Sequence, residues 1–278
     1  MVDIGKIFNE CENALGDAMR TLYEDRPDYF LLFLSQGEYN HLCKNIEGLS
    51  PYMTDYTWDF QINTHQRNCI VHYLNRNYRK PGFSYSEDNI DDLITEMMLY
   101  SHIWEDICFL KFLLRLSLLI DGQDYLWITD LEYHTDLYET IQDQIIAPLK
   151  KKGLHLGELI ASSYSSNIRN SFSHSMYSID VNRRMISLWG GRTKDKSWNQ
   201  DLTFEEFQEK FLKSVRIWNT LFHLIDECRR NAALGQSTSG LIPLESEKVL
   251  QIWAEMRKRG DVLEPCFRGK VFCSGEKA

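Results

Sequence analysis

The sequence predicts an all-α fold carrying one short β-hairpin, and three observations support that reading. Proline and glycine are scarce, six and fifteen in 278 residues, which disfavours an all-β chain built on many turns. Apolar residues recur at i, i+3 and i+4 over long stretches. Strand-like alternation is concentrated in Tyr177-Ser178-Ile179-Asp180 and Met185-Ile186-Ser187-Leu188, with the basic turn Asn182-Arg183-Arg184 between them. The chain is 43% hydrophobic and 26% charged, as an ordinary globule is, and is long enough for one large or two small domains. Its 14 Tyr, 14 Phe and 7 Trp can fill a substantial core or form a dimer face.

Residues 1–85 read as a helical N-terminal region with helices over about Ile4–Tyr23, Gly37–Ile46 and Ile62–Tyr78. Lys80-Pro81-Gly82 marks its boundary. A second domain spans 86–232. It opens with Ser86 as an acceptor cap and acids in the first turn, and a helix runs from there to Ile120, where Asp121-Gly122 stops it. Leu137, Ile141 and Ile145 pattern the next helix, which Pro148 and Lys150-Lys151-Lys152-Gly153 bring to an end. One helix then covers about Leu156–Met176, the hairpin follows, and Thr203-Phe204-Glu205-Glu206 is a capping box. Phe204, Phe207, Phe211, Val215, Trp218, Phe222 and Ile225 give the closing helix a wide apolar stripe. Residues 233–278 contribute a polar joint, a last helix over about Leu244–Arg259 and a tail.

Met1–Arg20 has neither a basic start nor a continuous apolar run, so no signal peptide is expected. Ile107–Ile120 is short for a bilayer span and carries Lys111 and Arg115. Seven cysteines with no CxxC pair read as reduced thiols, and a cytoplasmic protein without a membrane partner is expected. No cofactor or metal is expected either. Cys266 and Cys273 would make an incomplete site, and P-loop, GxGxxG, HExxH and GxSxG motifs are all missing from the sequence.

A net charge of −9 argues against indiscriminate coating of nucleic acid. The stretch from Arg169 to Lys196 is nonetheless basic, with Arg169, Arg183, Arg184, Arg192, Lys194 and Lys196 against Asp180 and Asp195. Arg183, Arg184 and Lys194 are candidate phosphate contacts. The same stretch opens with Arg169-Asn170-Ser171-Phe172-Ser173-His174. Helical spacing puts Asn170 and His174 on one side, and the long arm of Arg169 can swing toward it. An imidazole there can take the proton of a ribose 2′-hydroxyl while the guanidinium holds charge on the attacked phosphate. Plainer readings exist: a histidine satisfied at a helix end, a surface arginine, an asparagine that breaks the helix. Glu105 and Lys111 are candidates to hold or orient these groups, or else the polar edge of a helix.

Arg67-Asn68-Cys69-Ile70-Val71-His72 repeats the spacing, but no hairpin or capped helix comes after it. A helix ending in R-N-x-x-x-H, a hairpin and a closing helix together resemble the HEPN family of helical domains, many of which are RNases. The resemblance covers roughly Ser86–Arg230, about half of the chain, and is one of pattern. It implies a HEPN-like helical bundle in which Arg169, Asn170 and His174 are catalytic and face the same helix of a second protomer in a homodimer. It also implies RNA as substrate, metal-independent cleavage, and a setting such as toxin–antitoxin pairs, antiviral defence or RNA processing, with an antitoxin or other regulatory protein as a further partner. Some members carry a tyrosine two residues after the histidine, where a partner enzyme modifies it. Here that position is Met176, and the tyrosine, Tyr177, comes one residue later. A non-catalytic HEPN-type module that binds RNA or protein is the alternative.

Overall fold

The computed structural model describes residues 2–39, 52–54, 56–78, 90–129, 131, 137–189, 199–231, 237–243, 248–259 and 262–273, with side chains described over 2–39, 67–78, 90–129, 131, 137–189, 200–229 and 231. Helices dominate, with a small antiparallel sheet of three strands after the motif.

Helix α1 (Ile4–Asp25) starts where the Asp3 carboxylate accepts the Lys6 N–H, and buries Ile7, Cys11, Leu15 and Leu22 on one stripe. That stripe joins the same core as the closing helix α10 (Phe204–Asn231), against which α1 lies. In α10, Phe204, Phe207, Phe211, Trp218 and Ile225 are all buried, as the sequence stripe requires. Its start is the expected box: the Thr203 N–H donates to Glu206 Oε2 (2.7 Å), and the Glu206 N–H donates to Thr203 Oγ1 (3.1 Å). Burial pushes the Cys11 thiol up to about 12, so it stays a neutral core group.

Several boundaries differ from the sequence reading, each for a local reason. Between α1 and the expected second helix lies α2 (Pro27–Ser35), with Pro27 in its first turn and Gln36 left-handed (φ 49°) at its end. The helix expected from Gly37 begins instead as strand β1 (Gly37–Tyr39), which pairs with β2 (Tyr52–Thr54); Asn40–Pro51 lie outside the described residues. The Tyr39 N–H donates to the Trp127 carbonyl and the Tyr125 hydroxyl to the Gly37 carbonyl, which satisfies an extended backbone there. Helix α3 (Tyr56–Asn77) starts earlier than read. The Lys80-Pro81-Gly82 boundary and Ser86 lie outside the described residues.

The long helix read up to Ile120 is two, α4 (Ile90–Glu105) and α5 (Ile107–Ile120). Asp106 divides them: one carboxylate oxygen accepts the Phe109 N–H (3.1 Å) and the other the Trp218 indole N–H (2.8 Å). Pro148 does not end its helix. The chain runs from α6 (Leu137–Glu139) through a π-turn (Thr140–Ile146) into α7 (Ala147–Lys151), with Pro148 in the first turn of α7. The Gln144 carbonyl, in the turn just before the proline, accepts the Ser117 hydroxyl of α5 (2.6 Å), which ties the π-turn to that helix. The stop falls at Gly153, whose φ of 72° favours glycine.

The single helix read over Leu156–Met176 is also two, α8 (His155–Ser163) and α9 (Ser166–Ser173). Gly157 lets α8 close on α7: a Cβ there would lie 2.9 Å from the Lys150 backbone nitrogen. The hairpin is present as β3 (Tyr177–Asp180) and β4 (Met185–Trp189), extended by β5 (Asn199–Thr203) into an antiparallel sheet with order β3-β4-β5. At the C-terminal end the expected helix over Leu244–Arg259 is corrected. Strands β6 (Ser237–Pro243), β7 (Lys248–Arg259) and β8 (Val262–Cys273) form a second antiparallel sheet. Val249, Ile252 and Trp253 suit a strand, and Arg259 pairs with Val262 across Gly260-Asp261, a sequence typical of two-residue hairpin links.

Candidate active site

The motif residues occupy the C-terminal end of α9, and the geometry begins with the break before it. Tyr100 of α4 is fully buried; its hydroxyl donates to the Ser163 carbonyl (2.8 Å) and accepts the Ser165 N–H (2.7 Å). One phenol therefore satisfies a carbonyl at the end of α8 and an N–H at the start of α9, two of the backbone groups that the break frees, and Lys210 Nζ donates to a third, the Ser162 carbonyl (2.6 Å). The Ser165 hydroxyl then accepts the Ile168 N–H (3.4 Å), starting α9. Burial raises the Tyr100 phenol well above its ordinary value, so it remains a neutral hydrogen-bonding group.

The end of α9 is equally defined. His174 is the C-cap, and the Met176 N–H returns to the Ser171 carbonyl (2.7 Å) while the Ser175 N–H reaches the Phe172 carbonyl (3.0 Å). Ser175 is left-handed (φ 54°), so the pair of bonds is a Schellman closure with serine where glycine is usual. Phe172 and Tyr177 stack across this turn with centroids 5.8 Å apart, which places Tyr177 as a packing residue of the reversal.

Asn170 and His174 are linked by the His174 N–H to Asn170 carbonyl bond (3.0 Å), one turn apart, and both are exposed. The imidazole makes no side-chain hydrogen bond or ion pair among the described residues. Arg169 differs: its side chain is 15% exposed and donates to Asn170 Oδ1 from Nε (3.4 Å) and from one terminal nitrogen (3.2 Å). Glu105, at the end of α4, lies 4.0 Å from Arg169 Nε. Burial also raises the Tyr164 phenol above its ordinary value, an effect that the Arg169 charge only partly offsets. The structure thus brings Arg169, Asn170, His174 and Glu105 to one end of the α4–α9 pair.

The remaining candidates go elsewhere. Lys111 does not stand beside the motif arginine; it is buried and ion-paired with Glu38 (2.9 Å), a carboxylate it shares with Arg115 (3.3 Å). Desolvation explains this, since a buried ammonium requires a counter-charge. Arg184 (φ 56°) is bound to Glu205 (2.6 Å) and lies 5.3 Å over the Phe204 ring, tying the hairpin to the start of α10. Arg183 is solvent-exposed and 3.7 Å from Asp180. Lys194 lies outside the described residues. In the second motif copy, Arg67 pairs with Asp226 of α10 (3.5 Å) and lies 5.1 Å over Phe222, while His72 is exposed in mid-helix.

Tyr100 and Ser165 position the site yet did not stand out in the sequence. A signal for Ser165 existed in Ser162-Ser163-Tyr164-Ser165-Ser166, a serine-rich run able to divert backbone bonds from a helix. Tyr100 carried none, because its partners lie more than sixty residues away. Among the described residues no group of three or more His, Cys, Asp and Glu side chains is placed to hold a metal ion, and no helix is long and apolar enough to cross a membrane. Comparison with protein families, curated proteins and solved structures finds no match to this chain.

Proposed function

We propose that this protein is a metal-independent endoribonuclease of HEPN type, with Arg169, Asn170 and His174 as its catalytic residues. The observation that carries the reading is the placement of His174. Its imidazole is solvent-exposed, without a side-chain partner among the described residues, on a backbone fixed by the Schellman closure, one turn from Asn170. Such a group can accept a proton from a bound ligand with no internal bond to break first. Arg169, restrained by Asn170 and Glu105, supplies a directed cation for the phosphate oxygens.

In this reading His174 takes the proton of a ribose 2′-hydroxyl, the oxygen attacks the adjacent phosphorus, and the 5′-oxygen departs. The products are a 2′,3′-cyclic phosphate and a free 5′-hydroxyl. A homodimer facing α9 to α9 would supply a second imidazole for the departing oxygen, and an antitoxin-like regulator could cover the same end of the molecule. A toxin or antiviral effector acting in the cytoplasm is the setting that fits such chemistry. Arg183 and Lys194 would contact flanking phosphates.

The test is cleavage of RNA by the purified full chain in excess chelator, beside a substrate lacking the 2′-hydroxyl at the scissile nucleotide. Cleavage should persist in the first case and fail in the second. Activity that requires added magnesium would exclude the scheme, and RNA binding without cleavage would point to the non-catalytic module.

A further inference from the structure

Away from the motif, the register of the sheet β6–β8 sorts its residues into two unlike faces. The β7–β8 pairing runs from Lys248 opposite Cys273 to Arg259 opposite Val262 without a bulge, and β6 joins β7 from Val249 to Glu255. Opposed residues share a face and every second residue returns to it, so each position belongs to one face or the other. One face holds Leu250, Ile252, Met256, Leu263, Phe267 and Val271, with Lys248 and Lys258 at its two ends. The other holds Arg257, Arg259, Arg268 and Lys270 against Glu255 and Glu264. Trp253, in the central strand, is on this second face directly opposite Arg268, and Phe272 follows on it four residues along β8. The sheet adjoins α2 and β2. An antiparallel sheet divided in this way packs its apolar face and leaves the other to water or a partner.

Charge and aromatic content together select the partner. Cations outnumber acids on the second face although the chain as a whole carries a net charge of −9, so an anionic partner meets a local field opposite to that of the molecule. Burial would have set the two large aromatics on the apolar face. Among cations they supply rings for stacking instead. Cations with aromatics on one sheet face suit a single-stranded nucleic acid, whose phosphates meet the charges and whose unpaired bases meet the rings. A duplex keeps its bases stacked on one another and gains nothing from an indole. Past Glu255, where the pairing with β6 ends, β7 and β8 continue as a two-stranded ribbon that carries Arg257 and Arg259 toward the hairpin end. At about 3.4 Å per residue, the twelve residues of each strand span roughly 40 Å, room for several nucleotides.

We infer that the face of β6–β8 bearing Trp253, Arg257, Arg259, Arg268 and Lys270 binds single-stranded nucleic acid, the cations on its phosphates and Trp253 on a base. This surface belongs to other elements than the end of α9 and does not depend on RNA cleavage. The probe is a labelled oligothymidylate, which has no 2′-hydroxyl, so failure of the cleavage scheme leaves its binding to the full chain untouched. Fluorescence anisotropy should show saturable binding that weakens with salt and exceeds that of a duplex of equal length. Trp253→Ala should weaken it about tenfold, the loss of one stacked base, while Trp253→Phe retains most of it. Arg268→Gln with Lys270→Gln should reduce the slope of log affinity against log salt by about 1.4, two phosphates at ~0.7 each. His174→Ala should bind as wild type does. Thermal melts establish that each variant is folded, and the double glutamine variant decides alone if Trp253→Ala is not. Absence of binding at low salt, a duplex held as tightly as the single strand, or wild-type affinity and slope in the folded variants would each overturn the assignment. So would adsorption to phosphatidylserine vesicles without oligonucleotide binding, or loss of binding in folded His174→Ala.

Discussion

The chain carries two copies of R-N-x-x-x-H, and the fold treats them in opposite ways. In α3, Arg67 and His72 sit within a continuing helix, and the arginine is drawn into packing against Asp226 and Phe222. In α9 the helix stops at His174, the chain reverses, and Arg169 reaches Asn170 and approaches Glu105 at an exposed end. Identical spacing therefore yields a helix–helix clasp in one place and an open cluster in the other. What differs is the helix terminus. A side chain in mid-helix shares its surroundings with the turns before and after, whereas a C-cap residue has the following turn removed.

The largest expected difference between the copies is in RNA cleavage. His174→Ala and Arg169→Ala should each lower the rate by about 10²–10⁴-fold, the range for losing a positioned acid–base or charge-stabilising group, while His72→Ala stays near wild type. Single-turnover assays on folded protein decide this, and equal losses from His72→Ala and His174→Ala would erase the distinction.

Stability should rank the copies the other way. Arg67→Ala removes an ion pair at 16% and 26% exposure together with a cation–ring contact, and should cost about 1–2 kcal/mol in denaturant unfolding. Arg169→Ala should cost less, since its bonds run to an exposed neighbour. A larger loss at Arg169 than at Arg67 would mean that the motif arginine is chiefly a structural group.

A finer probe tests the frame that holds α9. Tyr100→Phe leaves the Ser163 carbonyl and the Ser165 N–H without their shared partner, at about 1–3 kcal/mol, and should slow cleavage although Tyr100 is buried. Unchanged stability would show that the break does not depend on the phenol.

The smallest effect concerns the capping box that separates the two sequence contexts. Glu206 is held below its ordinary value by the Thr203 N–H and hydroxyl. Its folded pKa being depressed, the charged cap contributes above the unfolded value of 4.5 and is lost as pH falls through the folded value. The melting difference between wild type and Glu206→Ala should thus be present near neutrality and shrink on acidification below that value. A difference that grows toward acid would contradict the hydrogen-bonded carboxylate.

How far the sequence reaches is visible in these same elements. The capping box, the stripe of α10 and the hairpin were legible because each depends on residues within a few positions of one another. The helix breaks at Asp106 and Tyr164-Ser165 were not, because Trp218 and Tyr100 stabilise them from distant segments. Gly37–Tyr39 and Lys248–Arg259 carry helical expectations although both pair as strands; in the second, Val249, Ile252, Trp253 and Met256 recur at the helical i, i+3, i+4, i+7 spacing, and pairing with β6 and β8 overrides that local pattern. At the candidate site, helical spacing puts Asn170 and His174 one turn apart, and Glu105 lies 4.0 Å from Arg169, while Lys111 follows the demand of burial toward Glu38.

The phenol beneath the α8–α9 break also offers a clock. An amide that donates to a fully buried oxygen exchanges its hydrogen with solvent only when that contact opens. The Ser165 amide is such a hydrogen, and it stands four residues ahead of Arg169. Its exchange rate therefore reports how often the motif helix lifts from α4, independently of whether the rest of the bundle has unfolded. If Ser165 exchanges faster than the core amides of α10, the motif helix undocks as a local unit. If the rates agree, the cluster forms and dissolves only with the whole fold.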